Sequence, residues 1–448
     1  MGTRHGRTWQ SDWNRSANAK NLPYNLVVHS LQIDSWLMVA IVFGLLELIL
    51  QLLVITACPF RPIGDEIEYI ERGRSGDPHR FALFHRLPVL PAIARLVAAT
   101  GRPVVCLRLV SVVSSSVAVA ATAAASTLTG GPVVATVLCV ALLMIPERIF
   151  LGSRIWPDVL LAAATSCIAA VLSLSPTSIS SSMSAGLIGC LVAFAVLVRL
   201  DALVLIPAAA VAWSATHDWS DPDLLVFVVG PPVVAFAWWW VVSITRFGER
   251  WPDTTWKFNL GITMQDALAP RTGTPIFVDD LIERHRDRIS DHSRTGARPA
   301  AAWSDHARSV GSRLRAVVGP DTFVTGKLLT AENFSRCRVS GRLRAALLRR
   351  AFPLLLAVTA VLWFWRPTAA VWSTLPALSF LLPAGLFLAR SRYRLPVLYG
   401  LVPVVAGSVA EILYADRALS IPAAVGALVL IAGLSHLLSL RPNRLERL

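Results

Sequence analysis

Eleven apolar runs of roughly 15–23 residues alternate with polar connections along the chain. They lie at about 36–57, 104–127, 132–146, 157–174, 184–198, 200–216, 224–244, 351–365, 369–389, 395–414 and 420–440. A helix of that length crosses a hydrocarbon core about 30 Å thick. Only helices and closed barrels satisfy their backbone groups in lipid, and these runs lack the two-residue alternation of barrel strands. The pattern predicts an all-α polytopic membrane protein, a bundle of about 11 transmembrane helices. The first connection, 58–103, holds the acidic stretch GDEIEYIERGRSGD and then HRLPVLPAIARLVAATG. The second piece is too short and too charged to cross, and reads as an interfacial helix with its arginines toward the headgroups.

The same pattern divides the chain. A polar basic tail (1–35) precedes a membrane module of about seven spans (36–244). An extramembrane insertion (245–350) leads to a four-span module (351–440) and a basic tail (441–448). No internal repeat is visible, and the serine-rich stretch from Ser173 to Ser184 reads as a flexible connection. Residues 1–35 lack a cleavable-signal pattern, so the first run is expected to remain as an anchor. The insertion, rich in arginine with Asp279, Asp280, Asp287 and Asp291 interspersed, reads either as a small folded cap or as a partly disordered surface segment.

Composition agrees. The 448 residues are 54% hydrophobic and 16% charged, where soluble domains carry about a quarter charged, and mean hydropathy is +0.58. The net charge of +14 would suggest nucleic acid in a soluble protein; here arginines flank helices and meet lipid phosphates, so membrane lipids and not nucleic acid are the expected partners. Cys106, Cys139, Cys167 and Cys190 sit in apolar runs and read as packed thiols. The chain carries no HExxH, P-loop or CxxC motif.

Several polar residues at span ends suit chemistry, each with a plainer alternative. Asp65, Glu66 and Tyr69 follow the first span. They form either a hydrated acidic loop or a partly desolvated carboxylate basic enough to take a hydroxyl proton. Asp158 opens the fourth span after Pro157, as a helix amino-terminal acid favoured by the dipole or as a group that positions substrate beside Arg148 and Arg154. Arg199 and Asp201 form either a hinge ion pair or part of a site. Arg392, Tyr393 and Arg394 open the tenth span as interfacial anchors or phosphate ligands, and His85 and Arg86 carry the same two readings. Glu47, inside the first span, needs a partner such as an arginine from another helix, or a proton.

In this order these elements resemble the multi-spanning GT-C glycosyltransferases, especially the protein-mannosyltransferase-like and aminoarabinose-transferase-like group. Asp65-Glu66-Ile67-Glu68-Tyr69 is similar to that group's D-E-x-x-Y element after its first span. Leu87-Pro88-Val89-Leu90-Pro91 resembles its Pro-rich short helix, and Leu107-Arg108-Leu109 its arginine-containing second span. Asp158 resembles the aspartate that opens its fourth span. Arg199-Leu200-Asp201 resembles an R-P-D element with leucine for proline, and Arg392-Tyr393-Arg394-Leu395-Pro396 an R-Y-x-x-P element one residue shorter. The stretch from Gly248 to Lys257 is similar to the G-x-x-x-P-N-T…K element of arabinofuranosyltransferase-like members, with Asp253 for asparagine and a shorter spacing to lysine.

The resemblance implies inverting transfer of a sugar, such as mannose or arabinose, from a polyprenyl-phosphate donor at the outer face of the plasma membrane. The acceptor would be a cell-envelope glycan, lipid or protein. Asp65 would be the general base, Glu66 its neighbour and Asp158 a third catalytic carboxylate. Substrate would meet Tyr69, His85, Arg86, Arg154, Arg199, Asp201, Lys257, Arg392 and Tyr393. No cofactor is certain, and a divalent cation is compatible. Orientation conflicts: placing Asp65 outside also places more loop arginines outside than the positive-inside rule favours. A lipid-linked sugar transporter or flippase and an inactive scaffold are the rival readings.

Overall fold

The computed structural model describes residues 22–57, 62, 65–75, 86–174, 179–216, 225–253, 310, 355–356, 359, 370–386 and 394–414. Among them every regular element is helical and no strand occurs. The helices are α1 (Leu22–Ala57), α2 (Asp65–Ser75), α3 (Val89–Ala98), α4 (Pro103–Leu143), α5 (Pro146–Gly152), α6 (Pro157–Ser173) and α7 (Ser181–Val198). After a 3-10 turn (Leu200–Val204) come α8 (Leu205–Thr216), α9 (Leu225–Phe247), α10 (Ala370–Leu378), α11 (Leu381–Leu386) and α12 (Leu395–Tyr414).

Four helical stretches are long and apolar enough to cross a membrane: Ser35–Thr56, Pro103–Leu143, Ser181–Val198 and Leu225–Phe247. The expected total of about 11 is therefore not met among the described residues. Pro157–Ser173, Leu200–Thr216, Val371–Pro383 and Leu395–Ala410 are apolar but shorter. The run 420–440 and most of the insertion lie outside the described residues. The first helix also starts earlier than its apolar run, at Leu22 instead of about 36, and the acidic stretch after it is helical.

In α1, Ala40, Phe43, Glu47 and Gln51 are buried on one face, while Leu37, Met38, Ile41, Leu45, Ile49 and Leu52 are exposed on the other. The exposed set is the lipid-facing surface expected of a membrane helix and not of a soluble one. The buried face meets α4 closely. Ser116 donates to the Gly44 carbonyl at 2.8 Å, and a Cβ on Gly44 would lie 3.1 Å from Ala120.

The single helical stretch α4 folds back on itself. Gly131 has φ 79° and ψ 165°, a conformation essentially confined to glycine, and Pro132 follows. Leu142 lies about 27 positions beyond Ser115, about 40 Å along a straight helix. Yet Glu47 is bound by both Ser115 and Arg148, and Arg148 donates to the carbonyls of Leu142 and Leu143. Residues 132–143 therefore return alongside 103–130, agreeing with the separate run read at 132–146. The return limb stops at the level of Ser115, about 18 Å in from Pro103 at 1.5 Å per residue. A helix thus ends deep inside the bundle, and α6 sets out from within it, so its 17 residues need not span a full bilayer.

Other contacts order the remaining helices. Trp213 of α8 donates to Ser184 of α7 at 3.2 Å, fixing an antiparallel pair. A Cβ on Gly189 of α7 would collide with the Phe227 carbonyl of α9, so only glycine permits that approach. Thr129 donates to the Pro403 carbonyl of α12 at 3.1 Å. The Thr129–Pro403 bond joins α12 to α4 near its Gly131 end, whereas ion pairs and close contacts gather at the other end of the bundle α2, α3, the start of α4, the α5–α6 turn and the α7–α8 turn.

Candidate functional site

The polar side chains at this end form two ionic groups joined by the short segment from Arg154 to Asp158. The first is built on α2. Glu66, Tyr69 and Ile70 are buried with the helical spacing of one face. Gly73 continues that face and lets α2 lie on α3, since a Cβ there would strike the Ala94 carbonyl. Asp65 opens α2; its side chain lies outside the described set.

Glu66 is fully buried and accepts two hydrogen bonds, from Arg154 Nη1 at 2.9 Å and from the Ile155 amide at 3.0 Å. Arg154 also stands 4.9 Å from the Phe150 ring centroid, and that ring meets Trp156 edge-on at 6.0 Å. Arg108, buried on the first turns of α4, lies within electrostatic reach of both Glu66 and Arg154. Burial pushes the Arg154 guanidinium below the usual arginine range and Glu66 draws it back up.

Two residues along α2, Glu68 holds Arg72 at 2.6 Å and Arg86 at 2.7 Å, and Arg86 lies 5.9 Å from the Tyr69 ring centroid. Burial also lowers Arg72, against the raising effect of Glu68. Asp253 is a further charge near Arg72. It arrives by the turn after α9, where Gly248 takes φ +68° and the indoles of Trp239 and Trp240 donate to the Pro252 and Arg250 carbonyls at 2.8 and 3.0 Å. The end of α9 therefore belongs to the same end of the bundle.

The second group is Asp158, Arg199 and Asp201. Asp158 is the first-turn acid of α6, and Arg199 caps α7 in extended conformation. Arg199 reaches Asp158 at 2.7 Å and grips Asp201 through both arms of its fork, at 2.6 and 2.9 Å. Such bidentate pairing fixes side-chain direction as well as charge.

The structure thus brings Glu66, Tyr69, Arg86 and Arg154 together, and separately Asp158, Arg199 and Asp201. His85, Lys257, Arg392 and Tyr393 lie outside the described residues; Arg394, next to the last two, is buried at the start of α12. Arg86, Arg154 and Arg199, which the resemblance implies meet substrate, each turn at least one guanidinium arm to a carboxylate. Sequence reasoning gave Glu68, Arg72 and Asp253 no role of their own, because a charge in a polar loop carries no signal of its distant partner.

Deeper in the bundle, Glu47 has the arginine that its position in an apolar helix called for. Arg148 pairs with it, Ser115 donates to it at 2.5 Å and Gln51 at 2.8 Å, and buried Tyr399 of α12 stands within electrostatic reach. Arg148 Nε and Nη2 meanwhile satisfy the carbonyls of Leu142 and Leu143 at 3.1 and 2.8 Å. A cation at a helix carboxyl end complements the dipole, and buried carbonyls at a helix end need donors. Glu47 then neutralises the charge that this cap brings inside.

Among the described residues no three His, Cys, Asp or Glu side chains gather to hold a metal ion. The carboxylates Glu66, Glu68, Asp158 and Asp201 each face an arginine, an electrostatic setting that disfavours a divalent cation. No protein-family model, curated protein or solved structure matches the chain.

Proposed function

We propose that the chain is a membrane glycosyltransferase that moves a sugar from a polyprenyl-phosphate donor to a cell-envelope acceptor at the extracytoplasmic face, with Asp65 as the general base. The observation that supports this reading is the anchoring of α2. Glu66, the residue after Asp65, is bound to Arg154 and the Ile155 amide, three residues before Asp158. A loop acid with no task has no need of a buried ionic anchor at its neighbour.

In the proposed reaction the acceptor oxygen attacks the anomeric carbon as its proton passes to the Asp65 carboxylate. The bond from that carbon to the phosphate oxygen breaks, the phosphate keeps the electron pair, and the configuration inverts. Base catalysis of this kind contributes about 10²–10⁴-fold. Glu66, bonded to Arg154 and the Ile155 amide, acts as a positioning residue, and Asp158 orients Arg199. Positive charge from the arginines around α2 favours the developing phosphate anion.

One observation favours a second reading, a lipid-linked sugar transporter: the fully buried pair Glu47–Arg148 lies at a broken helix, as ionic groups in transporters often do. Proteoliposomes loaded with radiolabelled polyprenyl-phosphate sugar and supplied with envelope extract separate the two. Transfer releases free polyprenyl phosphate and labels an acceptor. Movement of intact donor between leaflets without release would replace the enzyme reading with the transporter.

A further inference from the structure

Residues 146–158 are held at two places by buried arginines of opposite reach. Arg148 ties α5 down to Glu47 in the middle of the first membrane helix, and Arg154 ties the following turn up to Glu66 on α2. Between them Gly152 lies flush against Gln51 and Ser115; a Cβ there would strike the Gln51 amide nitrogen and lie 2.8 Å from the Ser115 hydroxyl. From Glu47 the bonded path runs through Arg148, along α5 to Arg154 and Ile155, and so to Glu66.

We propose that Glu47 and Arg148 are positioning residues for the site, setting the depth of the α5–α6 turn and through it the seat of α2 and Asp65. Their position argues for more than neutral packing. An ordinary buried ion pair can be exchanged for apolar side chains of similar size with little loss. Here Arg148 also donates to the carbonyls at the end of the α4 return limb, so removing both charges leaves the Leu143 carbonyl without its donor and Leu142 with the Ile145 amide alone. The limb end then has to move toward donors or water, and α5 moves with it.

Where transfer is measured, this inference rests on the glycosyltransferase reading; the exchange measurement below does not. Hydrogen exchange is followed in the purified full chain at the Ile155 amide, which is bonded to Glu66. The variants are Glu47→Gln and the paired Glu47→Leu with Arg148→Met. Trp213→Phe serves as a control that loosens the opposite end of the bundle. At matched distance below each variant's melting point, exchange at Ile155 rises at least tenfold for both cluster variants and stays within twofold of wild type for Trp213→Phe. Should the paired variant fail to fold, Arg148→Lys, which keeps the charge but not the forked donation, gives an intermediate rise. In the transfer assay kcat falls about tenfold in Glu47→Gln while the donor KM holds within twofold. Wild-type exchange at Ile155 in the paired variant, or in Arg148→Lys, overturns the proposal. Raised exchange without transfer by wild type would sink the enzyme reading and leave the positioning intact.

Discussion

Glu66→Gln removes one negative charge from a site where none of the residue's surface reaches solvent. The substitution is nearly isosteric, so packing is retained and electrostatics change alone. The carbonyl of the introduced side-chain amide still accepts from the Ile155 backbone, but its NH₂ group now faces Arg154, donor against donor. Arg154 is left charged at 5% side-chain exposure, with Arg108 as a like charge nearby. Breaking a buried pair from one side costs about 3–5 kcal/mol. Glu68→Gln supplies the comparison, since its partners Arg86 and Arg72 are 13% and 3% exposed and Glu68 itself 14%. Partial screening reduces the expected loss there to about 1–2 kcal/mol. Equilibrium unfolding in mixed micelles measures both. A Glu66→Gln loss below about 1 kcal/mol, or a larger loss for Glu68→Gln, would show that α2 is not anchored through Glu66.

Three further outcomes follow from the packing. Gly131→Ala places a side chain where φ is +79°, and should cost about 1–3 kcal/mol in the same unfolding measurement by straining the reversal in α4. Gly152→Ala pushes the Gln51 amide off Glu47 and should cost a similar 1–3 kcal/mol; an unchanged midpoint would mean that α5 does not sit flush on α1. Arg250, exposed at the end of α9, reports orientation. In a cysteine-free background Arg250→Cys should react with an impermeant maleimide added outside intact cells, and labelling only after lysis would place the site end in the cytoplasm.

Much of the architecture was legible because lipid imposes long apolar runs, and the short α3 was visible from its length and its arginines. The reversal in α4 had a local signal in Gly130-Gly131-Pro132, which separates two apolar runs, and the requirement that Glu47 find an arginine follows from burial energetics alone. Other features had no local signal. The stretch 65–75 is too polar to read as a packed helix, and its burial depends on Gly73 meeting α3 and on Glu66 meeting Arg154, contacts between residues far apart in sequence. Likewise Pro146–Gly152 reads as a loop because a seven-residue helix is too short to show a period. The arginines were counted as free loop charge in the orientation tally. Arg72, Arg86, Arg148 and Arg154 each bind a carboxylate of the same chain, a reason for their presence independent of membrane insertion. That weakens their weight against an extracytoplasmic site end.

Asp65→Asn tests the central claim most directly, because it deletes a proton acceptor while leaving the size of the side chain and the bonds of Glu66 in place. Single-turnover transfer from radiolabelled polyprenyl-phosphate sugar should fall by about 10²–10⁴-fold, with unfolding within about 1 kcal/mol of wild type. Transfer at the wild-type rate by a folded Asp65→Asn protein would contradict the account.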